Sequence, residues 1–224
     1  MVRLKLVIGD KNYSSWSMRP WVLLRQAEIP FEEVLLHFAD VDGGLTVAGI
    51  EKYSKARKVP VLLVDGEPVW DSLAIAETAA ELFPEKQLWP ADARARRLAR
   101  SACAEMHSGF QALRVKMPMN IKGSHPGKGL TPESQRDIDR IVSVWSECRE
   151  RFGGGGSLLF GKFSIADAFF APVVMRFRTY GVEVPRLAKD YCAAVEALPA
   201  VREWIEAARK EKKFVAEDEP YTKK

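Results

Sequence analysis

The chain has 224 residues, 47% hydrophobic and 29% charged, with a formal net charge of +4; that is enough for a full core in one large domain or two small ones. So small a surplus, with no basic stripe carrying interleaved aromatics, argues against a nucleic-acid partner. No run is long enough to span a bilayer, and the first ten residues hold neither a long apolar stretch nor a small-residue cleavage site, so a cytoplasmic protein without a membrane partner is expected. Cys103, Cys148 and Cys192 are odd in number, widely spaced and set in helical patterns, and read as reduced thiols. His37, His107 and His125 lack metal-ligand spacing, and no metal is expected.

Residues 3–8 alternate and predict a first strand. It leads into Asn12-Tyr13-Ser14-Ser15-Trp16-Ser17-Met18-Arg19-Pro20-Trp21 and then a helical segment. A strand that ends in hydroxyls and feeds a helix is an anion trap, because free backbone N–H groups and the positive helix end point at it. Pro20 belongs in a first turn. That places the N-cap near Trp16 or Ser17 and leaves Ser14 and Ser15 just outside it, open to a ligand. A helix that starts earlier would be kinked at Pro20.

Ile29-Pro30 stops this helix, and Phe31 to Leu36 predict a second strand. Residues 39–58 read as irregular, with Gly43-Gly44 and a short helix near Ala48 to Tyr53. Residues 59–64 predict a strand with a proline at its entry, Asp65-Gly66 a two-residue hairpin turn, and residues 67–70 its partner. Asp71-Ser72 caps a helix from Leu73 to Leu82. The order is β-α-β, a long connection, then β-β-α. This predicts a thioredoxin-like α/β domain, a mixed four-stranded sheet with helices on both faces, over residues 1–83. A proline-flanked linker follows at 84–90.

From residue 91 to 224 the pattern is all-helical. Helices are predicted over 91–117, from Pro132 to about Arg151, from Ala166 to about Thr179, and near 185–197 and 199–211. Ser164-Ile165-Ala166-Asp167 is a capping box with Phe163 as its staple. The helix behind it is apolar all round and is expected in the middle of a bundle. His107, Phe110 and Arg114 fall at i, i+3 and i+7, one helix face toward the first domain.

This layout resembles the cytosolic glutathione transferases, a thioredoxin-like domain joined to an all-α helical bundle. The segment from Asn12 to Trp21 is similar to the active-site motif of serine-type bacterial and zeta-like members. Lys58-Val59-Pro60 resembles their pre-strand motif, Asp71-Ser72-Leu73-Ala74-Ile75 their γ-glutamyl-binding segment, and Ser164 to Asp167 their C-terminal capping box. The resemblance implies glutathione as co-substrate, a homodimer, and Ser14 as the hydroxyl that stabilises the thiolate, with Ser15 or Tyr13 in reserve. It implies a cis bond before Pro60, with Val59 pairing the cysteinyl backbone. It also implies that Asp71 and Ser72 hold the γ-glutamyl end and Lys58 the glycyl carboxylate. The electrophile would meet Trp16, His107, Phe110, Arg114 and Met117.

Trp16 stands where zeta-type enzymes carry a cysteine, and no cysteine precedes Cys103. The first departure weakens a maleylacetoacetate isomerase reading, and the second argues against mixed-disulfide chemistry. The expected activity is conjugation of glutathione to a small electrophile. A glutathione-dependent cis–trans isomerase and a non-catalytic binding or scaffold protein are the alternatives.

Overall fold

The computed structural model describes residues 2–41 and 44–222. Strand β1 (Leu4–Ile8) is followed by helix α1 (Ser15–Gln26) and strand β2 (Glu32–Leu35). A hairpin of β3 (Phe38–Val41) and β4 (Gly44–Val47) comes next, then β5 (Val61–Val64), β6 (Glu67–Val69) and helix α2 (Ser72–Leu82). The four-stranded sheet has the order β2-β1-β5-β6. β1 and β2 run parallel and the other pairs are antiparallel. Asp65 and Gly66 both take positive φ, 49° and 97°, which fits a two-residue turn matching the strand twist.

Alternation along β1 decides which side chain meets which layer. Leu4, Leu6 and Ile8 share a core with Met18, Trp21 and Val22 of α1 and Ile75 and Ala79 of α2. Val7 points the other way, to Val47, Ile50 and Val61. That second face is covered by the β3–β4 hairpin and a single 3₁₀ turn at Ile50–Lys52, where the sequence predicts a short helix. The hairpin itself replaces the irregular stretch expected over 39–58; Gly43 lies outside the described residues.

The helical half comprises α3 (Ala93–Ser108), α4 (Gln111–Lys116), α5 (Pro132–Phe152), α6 (Ile165–Tyr180), α7 (Arg186–Ala197) and α8 (Pro199–Lys210). Helix α6 is buried almost throughout, as its nearly all-apolar pattern predicts, and packs on α1, α3 and α7. Ser164 and Asp167 form the expected reciprocal capping box at its start. Thr131 and Ser134 form another at the start of α5, with Pro132 in the first turn.

Two helix expectations are corrected. The N-cap of α1 is Ser14, so Pro20 lies inside the helix. The Ser14 hydroxyl accepts from the Ser17 N–H and supplies the capping bond. Pro20 has no N–H to give the Trp16 carbonyl, but α1 is buried from Ser17 to Leu24, and that burial outweighs one missing helical bond. The helix predicted over 91–117 is two helices. Gly109 turns extended and Phe110 takes a left-handed φ of 62°, breaking the chain between α3 and α4.

The halves are joined around Lys11. Its ammonium lies 2.7 and 2.9 Å from the two Glu33 carboxylate oxygens and sits over the rings of Trp21 and Trp204, at 4.9 and 5.5 Å. Trp21 donates to the same carboxylate, and Trp204 of α8 donates to the Lys11 carbonyl. Lys11→Met keeps the stem but leaves Glu33, which is exposed to solvent, without its cation. It is expected to cost about 1 kcal/mol, read as a lower urea midpoint at unchanged slope.

Beyond α8 the chain is tied back to the first domain and to α4. Glu211 accepts from the backbone N–H groups of Lys11 and Asn12 at 2.8 and 2.9 Å. The Tyr13 hydroxyl donates to Glu219 at 2.6 Å, and the Tyr221 hydroxyl to the Lys116 carbonyl at 2.8 Å. Residues 211–222 thus form a strap across the mouth of α1.

Candidate functional site

A cleft of about 570 Å³ opens at the N-terminus of α1, between the sheet domain and the helices. Ser14, Ser15 and Trp16 line it from the first domain, with Lys58, Val59, Pro60, Asp71 and Ser72. His107, Arg114 and Arg176 line it from the helices, and Asp218 from the strap. The Val59–Pro60 bond is cis, as the resemblance implies.

The hydroxyl groups are arranged in sequence. The Gly9 N–H at the end of β1 donates to Ser17 Oγ at 3.1 Å, and Ser17 Oγ lies 2.7 Å from Ser14 Oγ. Ser17 is fully buried, so this contact holds Ser14 in place from behind. Ser15 Oγ accepts from Arg176 Nη2 at 3.3 Å. Tyr13 is differently employed. Its hydroxyl is tied to Glu219, and burial together with that bond raises its pKa. A phenol bound to a carboxylate and hard to ionise is a poor partner for a thiol.

On the opposite wall Asp71 caps α2, accepting from the Leu73 and Ala74 N–H groups. Its other carboxylate oxygen is 3.0 Å from His107 Nε2. Ser72 is the first residue of α2, and its buried hydroxyl has no partner among the described residues. A buried hydroxyl without a partner beside a helix N-terminus is a vacant hydrogen-bonding position.

Trp16 lies between two guanidinium groups. Arg19 sits 4.2 Å from its ring centroid and Arg114 4.8 Å, while the His107 ring meets it edge-on at 5.2 Å. Arg114 donates to the carbonyls of Gly109 and Met106 at the end of α3. Arg176 donates to the Met117 carbonyl at 2.9 Å as well as to Ser15. Burial, followed by the charge of Arg114, pushes the Arg176 pKa down to about 10. Arg19 is fully buried, and its guanidinium nitrogens meet no acceptor among the described residues. Burial, then Arg114 and Arg176, holds its pKa well below the usual arginine range. Three cations converging on Ser15 and Trp16 favour negative charge there.

Of the residues predicted for the electrophile, Trp16, His107 and Arg114 line the cleft, but Phe110 and Met117 do not. The predicted face assumed one continuous helix. The break at Gly109 rotates Phe110 into the core, and Met117 is buried after α4. Sequence reasoning missed Ser17, Arg19, Arg176 and Asp218. A signal for Arg176 existed, since it is a charge within a largely apolar helix, and such a charge is kept only where a partner or a function holds it. Cysteine plays no part in the cleft. Burial pushes the Cys148 and Cys192 thiols up to about 12, and Cys103 well above the ordinary range.

Comparison with known proteins gives the same picture. The glutathione S-transferase N-terminal domain model matches residues 13–82, and the C-terminal domain model matches residues 131–207. The chain belongs to the glutathione S-transferase family. It is 31% identical over 175 residues to the probable maleylacetoacetate isomerase of Caenorhabditis elegans, covering 78% of each chain. It is 28% identical over 189 residues to the maleylacetoacetate isomerase of Dictyostelium discoideum, covering 80% of each. A solved glutathione transferase homolog from Burkholderia gl BGR1, with bound glutathione, shares its fold. That match has a TM-score of 0.70 at 24% identity, over 93% of this chain and 100% of the other. Among the described residues, no helix of this family member is long and apolar enough to cross a membrane.

Proposed function

We propose that this glutathione S-transferase family member binds glutathione in the cleft, holds its thiolate with Ser14, and adds it to a small electrophile seated by Trp16, His107 and Arg114. The observation that carries the reading is the chain Gly9 N–H, Ser17 Oγ, Ser14 Oγ at the mouth of α1. Either hydroxyl can donate in the Ser14–Ser17 contact. An anion in the cleft selects the arrangement in which buried Ser17 donates to Ser14. The Ser14 proton is then free for the sulfur, backed by two donors that polarise it.

The required magnitude is modest. A free thiol titrates near ~8.5, and lowering it by about two units takes ~2.7 kcal/mol. One charge-assisted hydrogen bond and a helix N-terminus together are of that size. Serine acts as donor, not base; the thiol proton leaves to solvent. The thiolate attacks the electrophilic carbon, forming the C–S bond, and the electron pair leaves with the departing group or is protonated on the acceptor.

The other contacts follow the resemblance. Val59 offers its backbone beside cis Pro60, Asp71 and Ser72 meet the γ-glutamyl ammonium and carboxylate, and Lys58 meets the glycyl carboxylate. The partnerless Ser72 hydroxyl supports this orientation. We expect a homodimer, as is usual for the fold, and domains divided near residues 84–90.

Isomerisation is the second reading. The two named relatives and the Arg114–Arg176 wall both favour it. There the same thiolate adds to an acidic cis-enone and is expelled after rotation about the single bond formed. The distinguishing experiment supplies the enzyme with glutathione and either 1-chloro-2,4-dinitrobenzene or maleylacetone. Turnover of the first supports conjugation, and turnover of the second alone supports isomerisation. Calorimetric glutathione binding without either turnover would leave a storage protein.

A further inference from the structure

Asp218 has no place in the scheme above, yet it lines the cleft. It belongs to the 3₁₀ turn Ala216–Asp218, which the strap lays over α1. The strap is held on both sides of it, by Glu211 upstream on the Lys11 and Asn12 N–H groups and by Glu219 downstream on Tyr13. Asp218 is partly buried, and among the described residues its carboxylate makes no ion pair. Its charge therefore acts on whatever else faces the cleft.

Arg176 lines the same cleft. Among the described residues lining the cleft, only Asp71 and Asp218 are acidic. The Asp71 carboxylate is committed to the α2 cap and to His107. Arg176 makes its three hydrogen bonds to Ser15, Met117 and Pro172, all neutral groups. Burial raises the Asp218 carboxyl to about 6, and the charge of Arg176 opposes that rise.

We propose that Asp218 is a specificity-determining residue of the cleft. Carried in by the strap, it acts as the internal counter-carboxylate of Arg176 and disfavours electrophiles that bring a carboxylate to that end. Neutral electrophiles meet a balanced wall, whereas acidic ones must compete with Asp218 for the arginine. The inference rests on the electrophile occupying this end of the cleft, as in the function proposed above.

The test uses maleate as the probe, titrated calorimetrically into the full chain without glutathione. Asp218→Asn keeps the shape and removes the charge. It is expected to bind maleate about tenfold more tightly than the wild type, the effect of deleting one like charge in a partly buried site. Adding Arg176→Gln to Asp218→Asn is expected to abolish the gain. Glu219→Ala removes the strap's contact with the Tyr13 hydroxyl but keeps Asp218, and should bind maleate like the wild type. Unchanged affinity in Asp218→Asn overturns the proposal. An equal gain in Glu219→Ala also overturns it, because the effect would then belong to strap opening. A separate glutathione titration of the same proteins reports on the proposed function by itself, so failure of one reading is distinguishable from failure of the other.

Discussion

Ser14→Ala is expected to return the thiol of bound glutathione to near its free pKa and to slow conjugation at pH 7 about 25-fold. The figure follows from the thiolate fraction. A thiol lowered to ~6.5 is about three-quarters ionised at pH 7, whereas one at ~8.5 is about 3% ionised. The loss should therefore shrink as pH rises and largely vanish above pH ~9.5, where both proteins hold the thiolate. A depressed thiol pKa gives activity on the acid side, and removing its donor moves that limb toward alkali. Ultraviolet difference spectra of bound glutathione against pH measure the ionisation directly.

Ser17→Ala adds a discriminating case. It leaves Ser14 in place but removes the group that stands 2.7 Å behind it and accepts from Gly9. The thiol pKa should rise by roughly 0.5–1, between the wild type and Ser14→Ala, because the polarising donor is lost while the direct one remains. If Ser14→Ala leaves the ionisation unmoved and Ser15→Ala shifts it, the thiolate partner is Ser15. Its hydroxyl oxygen accepts from Arg176, which leaves its own proton equally free.

Asp167→Ala is expected to be the most damaging single change to folding, about 4 kcal/mol. The fully buried carboxylate accepts from the N–H groups of Leu159 and Ser164, at 3.1 and 2.9 Å, and from the Ser164 hydroxyl at 3.1 Å. It thereby closes the N-terminus of α6 and pins the preceding loop. Alanine leaves all three donors unmatched in the interior, at about 1–3 kcal/mol for each group fully stranded. Asp167→Asn can still accept and should lose roughly half as much. Denaturant titrations with coincident fluorescence and circular-dichroism transitions measure both.

The same carboxyl sets a pH slope. Burial raises it to about 6 while the backbone N–H groups pull it down. Below pH ~4 it is protonated in both folded and unfolded chains. Between there and about 6 the unfolded chain has released a proton that the folded chain still holds. Stability therefore falls as pH rises through this window, by up to ~3 kcal/mol from this group, and levels off above it. Asp218, also raised to about 6, contributes in the same direction. Asp167→Asn should flatten the slope between pH 4 and 6, and an unchanged slope would assign it to other carboxyls.

Local grammar determined much of this protein. Alternation in β1, the Asp65-Gly66 turn, the Asp71 cap, the capping box at Ser164 and the apolar run of α6 each act within a few residues, so each is visible in the sequence. They suffice for two halves of different class and for the sheet's strand pattern. The long stretch between β2 and β5 was not legible as a hairpin, because β3 and β4 are short and cover a face set by Val7 and Val61. The single helix expected over 91–117 failed for a similar reason. Burial of Phe110 rewards a left-handed residue that local propensity disfavours.

The cleft depended still more on distant parts of the chain. Ser14, Ser15, Asp71 and Ser72 announce themselves as hydroxyls and acids at helix starts. Their neighbours do not. Ser15 meets Arg176 across 161 positions, and Tyr13 meets Glu219 across 206. Lys11 and Asn12 are capped by Glu211 across 200 and 199. No periodicity links such pairs. They meet because α6 packs on α1 and because the strap returns over the mouth of α1. Which serine meets an arginine and which tyrosine is occupied were therefore decided by tertiary packing, through contacts that exist only once the two halves are joined.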